Sequence, residues 1–242
     1  MTTPSPHAEP AAPTAADYYA SNRGGGLFSE FLGQRIGARV AVFAHKHKLA
    51  PTVLTVVNLG VSCLVSVAVV ALAQPVADGR VWAWPVGLLA LVGWHLAYGL
   101  DCADGQLARV TGQTSPAGAR IDVLCDVAGQ IALVAALSAT AAAQVPETPA
   151  WLLAAFAGTW MVNLVTSVMQ SGPNAASMVT STSIPVRIVK LVRDYGAVIF
   201  LAGVVLTVAP QWTIWLVGLF TLVNGAFLAA SIAFSGREAL RR

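Results

Sequence analysis

The 242-residue chain is 56% hydrophobic and only 10% charged, with a formal net charge of +3. Soluble domains carry about 25% charged residues, so a deficit this large places most of the chain in lipid. The few cations form no dense basic stripe outside the apolar segments, which argues against a nucleic-acid partner. Cys63, Cys102 and Cys125 show neither a CxxC pair nor zinc spacing, and no disulfide is expected.

Residues 1–22 are rich in Ala, Pro and Thr and lack the apolar core of a signal peptide, so a disordered cytoplasmic tail is expected. Gly24, Gly25 and Gly26 form a joint. Over residues 27–48, Leu27, Phe28, Phe31, Leu32, Ile36, Val40 and Phe43 recur at helical spacing, with Glu30, Gln34, Arg35 and Arg39 between them. That pattern predicts an amphipathic helix lying in the cytoplasmic interface.

A bilayer core of about 30 Å needs around 20 apolar residues per helix. Six segments fit: Pro51–Ala73, Val81–Leu100 (continuing as helix beyond), Arg120–Ala143, Ala150–Met169, Val186–Val208 and Gln211–Phe234. The expected fold is an all-α integral membrane protein with six transmembrane helices preceded by the interfacial helix. The membrane domain covers 23–236, and a basic cytoplasmic tail covers 237–242. Trp82, Trp84, Trp151, Trp212 and Trp215 fall near helix ends, as an aromatic belt requires. Gly87 lies in a lipid-embedded part of the second span, where a larger side chain is expected to do less harm than at Gly105.

Six spans put both termini on one side. Every Lys and Arg except Arg80 then falls on that same side. The positive-inside rule makes it the cytoplasm, with the turn after the second span there too. A multi-pass protein of the plasma membrane is expected.

Asp occurs seven times, and four of the seven (Asp101, Asp104, Asp122 and Asp126) fall within 26 residues. A charged residue at the centre of a membrane helix costs about 2.5–3.5 kcal/mol on the insertion scale and marks function by default. Asp101, Asp104, Gly105 and Ala108 form one helical stripe, and Gly118, Asp122 and Asp126 form a second. Gly112 and Pro116 break the helix between them. A short hairpin there would turn all four carboxylates toward one small volume. Four such charges cannot all stay ionised alone. Ion pairs with Arg109 and Arg120 would leave charge over. All-oxygen ligands suit a hard cation such as Mg²⁺, and Mn²⁺ is a second candidate. Two such ions can clamp a displacement at phosphorus. Gly105 and Ala108 would let a bulky group approach, and Arg109 can fork onto phosphate oxygens. A divalent-cation transporter is the competing reading. Transporters, however, place acids near the midplane and often carry inverted repeats, and no second acidic set mirrors this one.

The stretch Asp101-x2-Asp104-Gly105-x2-Ala108-Arg109-x8-Gly118-x3-Asp122-x3-Asp126 resembles, at all eight signature positions, the motif of the CDP-alcohol phosphotransferase (CDP-alcohol phosphatidyltransferase) family. The resemblance implies transfer of a substituted phosphate group from a CDP-alcohol, such as CDP-diacylglycerol, to an acceptor alcohol, with CMP released, in phospholipid biosynthesis. It implies two Mg²⁺ ions on Asp101, Asp104, Asp122 and Asp126, with Asp126 also the general base. Gly105, Ala108, Arg109 and Gly118 would line the nucleotide site. Thr55 joins them, although Thr52 stands where the family often has Asn. The expected partners are the CDP-alcohol donor, an alcohol or phospho-alcohol acceptor, membrane lipid and a second copy in a homodimer. A catalytically inactive subunit is the remaining alternative, and the intact motif argues against it. Arg187, Lys190 and Arg193, with Arg120, would bind a phosphorylated acceptor, or else anchor the chain at the interface. Asp194 would orient one of these cations. His95 is read as a packed, hydrogen-bonded histidine, not a ligand.

Overall fold

The computed structural model describes residues 12–22, 26–169 and 194–240, and every regular element among them is helical. The helices are α1 (Ala15–Ala20), α2 (Gln34–Lys46, entered through a π-helical turn at Ser29–Gly33), α3 (Pro51–Ala77), α4 (Ala83–Val110), α5 (Pro116–Gln144), α6 (Ala150–Met169), α7 (Tyr195–Val208) and α8 (Thr213–Ala239, entered through a 3₁₀ turn at Pro210–Trp212). With no water in the bilayer core, a chain this apolar must satisfy its backbone within each segment, and helices do so.

Four stretches are long and apolar enough to cross a membrane: α3, α4, α5 and Pro210–Ala233. Two more apolar helices, Ala150–Val162 within α6 and the whole of α7, fall short of that length among the described residues. The expected fifth span begins at 186, and the described residues include it only from Asp194 onward.

α3, α4 and α5 form the central group, with α3 packed on both of its neighbours. α7 covers another face of α4, and α8 packs on α5 and α6. Val69, Trp94, Leu133, Leu137, Phe156, Ile199 and Val217 fill the space between them, all but inaccessible. Trp94 and Trp160 are buried and donate to Ser66 Oγ (3.1 Å) and Gln130 Oε1 (3.0 Å). By contrast Trp82, Trp84, Trp151, Trp212 and Trp215 are exposed. They cluster where α4, α6 and α8 begin, the ends opposite the aspartate hairpin, which suits an interfacial belt.

Two expectations change. Residues 12–22 are not a disordered tail, because α1 packs against α2 and α4. Tyr18 supplies the apolar anchor and is wholly buried among Ala38, Ala41, Leu100, Ala103 and Leu107. Hydrogen bonds from the Thr14 backbone N–H and hydroxyl meet the Asp17 carboxylate and hold it below the ordinary carboxylate range. In α2 the buried face is the small-residue stripe Gly37, Ala38, Ala41 and Ala44, laid on α4, while Phe31 and Phe43 are exposed. A Cβ on Gly37 would come within 2.7 Å of Cys102 Cβ, so the two backbones meet closely there.

Gly87 has no room for a larger side chain. It is buried against α7, and a Cβ there would lie 2.2 Å from the Thr207 backbone nitrogen. Gly203 of α7 answers it from the other side, with Leu91 Cα 2.7 Å from its would-be Cβ. Small residues at membrane-helix contacts let backbones approach where no hydrophobic drive separates protein from lipid. Overpacking such a contact costs about 1–3 kcal/mol. Gly87→Ala should therefore lower the melting temperature of the detergent-solubilised protein by roughly 2–10 °C. Gly158→Ala on α6, where a Cβ meets nothing within 4 Å, should not lower it in the same thermal scan.

Candidate active site

The α4–α5 hairpin is built as its sequence demands. α4 stops at Val110, and Gly112 takes φ +69°, the left-handed region that favours glycine. Ser115 then caps α5 by accepting from the Gly118 N–H at 3.0 Å, with Pro116 in the first turn. This tight return sets the two acidic stripes against each other.

Carboxylate oxygens of Asp101, Asp122 and Asp126 all lie within 4.8 Å of one another. Asp104 is not one of the three. Its carboxylate accepts a 2.5 Å hydrogen bond from the Thr55 hydroxyl on α3. It shares a cleft with Asp122, so the fourth carboxylate borders the triad without joining it. Asp101 has a partner on α3 as well: Asn58 Nδ2 donates to its Oδ1 at 3.3 Å.

The cleft, about 490 Å³, opens between the start of α3 and the hairpin. Thr55, Gly105, Ala108, Arg109 and Gly118, the five residues expected at a nucleotide, all line it. Arg109 lies over Gly105, where a Cβ would sit 2.9 Å from its Nη1, and its charge acts on Asp122. Gly105 therefore makes room for a guanidinium. Three clustered carboxylates and a fourth beside them form an all-oxygen donor set, which fits a hard divalent cation.

The other expected residues fare differently. Arg120 is exposed on the first turn of α5. Arg187, Lys190 and Arg193 lie outside the described residues. Asp194 does not orient a cation among the described residues. It is buried, and its carboxylate accepts from the backbone N–H groups of Phe28 (2.8 Å), Ser29 (3.1 Å) and Gly196 (3.1 Å) and from the Ser29 hydroxyl. Asp194 thus caps α7 and clasps the entry to α2. His95 contacts Leu91 O at 2.7 Å and packs against Phe28 and Phe200.

The matching family model is that of CDP-alcohol phosphatidyltransferases, over residues 48–233. The chain belongs to the CDP-alcohol phosphatidyltransferase family. Enzymes of this family transfer phosphate-alcohol groups from a CDP-alcohol, and they depend on metal. A comparison with curated proteins finds no match. For a CDP-alcohol phosphatidyltransferase, the cleft beside the aspartates has the right size class and lining for a nucleotide.

Asn58 is the site residue that sequence reasoning passed over. The signal was present: a buried amide in an apolar span, one turn beyond Thr55 and on the same face. Groups that orient metal-ligating carboxylates typically cost about 10- to 100-fold in metal affinity when removed. Asn58→Leu should weaken Mn²⁺ binding to the solubilised protein by about that factor. Ser62→Ala, one turn further along α3, should not, as read by calorimetric titration.

Proposed function

We propose that this protein displaces CMP from a CDP-alcohol such as CDP-diacylglycerol, joining the phosphate-linked group to an acceptor alcohol in phospholipid synthesis. The observation that carries the reading is a cleft lined by Asp104, Asp122, a small-residue stripe and Arg109, with Asp122 also a member of the carboxylate triad. Asp101, Asp104, Asp122 and Asp126 hold two Mg²⁺ ions, with Mn²⁺ as a substitute. Bound there, such ions neutralise the diphosphate and stabilise charge on the attacking and leaving oxygens.

The chain's own residues do the rest. Asn58 and Thr55 fix the carboxylates of Asp101 and Asp104 from α3. Gly105, Ala108 and Gly118 keep the wall low enough for the nucleotide. Arg109 pairs with its phosphate oxygens in a planar fork. Asp126 takes the proton of the acceptor hydroxyl as it attacks phosphorus. Arg120, with Arg187, Lys190 and Arg193, meets a phosphorylated acceptor. Six spans in a homodimer, with α2 in the interface and the site at the cytoplasmic face, complete the reading. The sidedness of the cations supports that orientation.

The test is CMP release in sealed membrane vesicles given a panel of CDP-alcohol donors and acceptor alcohols. Inverted vesicles, with their cytoplasmic face outward, should release CMP into the medium, and an impermeant chelator should stop it. Asp101→Asn, Asp122→Asn and Asp126→Asn should each reduce release by at least a hundredfold, on the order of a lost charge-assisted contact at a reacting centre, with the protein still inserted. Full release in chelator, or from the aspartate variants, would refute the reading.

A further inference from the structure

We propose that residues 14–22 form a positioning strap for Arg109, so that the nucleotide affinity of the cleft depends on a segment remote from it in sequence. The inference rests on the proposed reading of the cleft as a cytidine nucleotide site.

An isolated helix shorter than about 12–15 residues is marginal in water, so the six residues of α1 must be held by tertiary contacts. They are held in the middle and at the C-terminal end. Tyr18 is wholly buried against α2 and α4. At the C-terminal end, Ser21 Oγ donates to Tyr18 O and Asn22 Nδ2 donates to Tyr19 O, both at 2.7 Å. These side chains tie the turn and set the direction of the Ser21 carbonyl. That carbonyl accepts from Arg109 Nε at 2.8 Å.

The next residue makes a second attachment to the same face of α4. Asn22 Oδ1 accepts from Gln106 Nε2 at 3.0 Å, and Gln106 Nε2 also donates to Gln34 O at 3.0 Å. Gln106 is fully buried and stands three residues before Arg109, so the two side chains are neighbours on one helical stripe. Two consecutive strap residues therefore grip two adjacent side chains of α4. Binding Nε fixes the plane of the guanidinium, which lies over Gly105 in the wall of the cleft.

A long Arg side chain loses much rotamer freedom when it engages an anion, and an arm already held loses less. Freeing the arm should weaken nucleotide binding without moving the aspartates. Asn22 touches neither the cleft nor the carboxylates. It acts through Gln106 and the Ser21 turn, so it is a positioning residue.

The test is a double-mutant cycle on the full chain in detergent, with CMP plus Mg²⁺ as the probe and calorimetry as the readout. Asn22→Ala should weaken CMP binding by about three- to tenfold, the scale for ordering one long side chain. In an Arg109→Lys background, which has no Nε donor or guanidinium plane to hold, the same change should have no effect. A chain lacking residues 1–22 repeats the cycle should Asn22→Ala fail to fold. An equal loss in both backgrounds, or no loss in either, overturns the strap. Absence of CMP binding by the unaltered protein would instead overturn the functional reading beneath it.

Discussion

Mutual repulsion among carboxylates at the end of apolar helices is the constraint around which this fold is arranged. Asp101, Asp122 and Asp126 bring their oxygens within 4.8 Å of one another, in a chain that is only 10% charged. Nothing in helix propensity or packing favours that arrangement. It persists because the hairpin is short and rigid, with Gly112 in the left-handed region and Ser115 and Pro116 starting α5 at once. α3 then braces the cluster, with Asn58 and Thr55 each donating to one of the acids. Such a charge-dense site calls for cations, and its position beside a nucleotide-sized cleft ties them to phosphate chemistry.

The same economy explains the helices around it. Lipid tails are as apolar as leucine, so membrane helices associate through close backbone contact and polar bonds. Gly87 with Gly203, and Gly37 with the Cys102 turn, supply the close contacts. Trp94 to Ser66 and Trp160 to Gln130 supply buried bonds. Asp194 supplies another kind, holding the backbone at Phe28 and Ser29 to the start of α7. α3 packs extensively on both α4 and α5, which is where geometry matters for a displacement at phosphorus.

Much of this was legible in the chain. Apolar length gave the central spans, because twenty apolar residues have few alternatives. The i, i+3 and i, i+4 spacings gave the acidic stripes, because helix geometry is fixed. Gly112 and Pro116 gave the hairpin, because each admits few backbone conformations. What stayed hidden depends on which neighbour a face meets. The close contact at Gly87 left no trace, because glycine carries no sign of whether lipid or another helix lies beside it. Residues 12–22 read as a tail because composition outweighed one tyrosine, Tyr18, whose burial depends on helices far along the chain. Asn58 was overlooked because a single amide has no periodicity of its own. Asp194 follows Arg193 in sequence, and among the described residues its partners are backbone N–H groups and the Ser29 hydroxyl.

The account stands or falls on whether these carboxylates hold paired divalent cations. Titrating the solubilised protein with Mn²⁺ and recording its electron paramagnetic resonance spectrum addresses that directly. Two Mn²⁺ per chain with the spin coupling of ions about 3.5–4 Å apart is the predicted result, lost in Asp126→Asn. Absence of bound Mn²⁺, or binding indifferent to Asp101, Asp122 and Asp126, would contradict it.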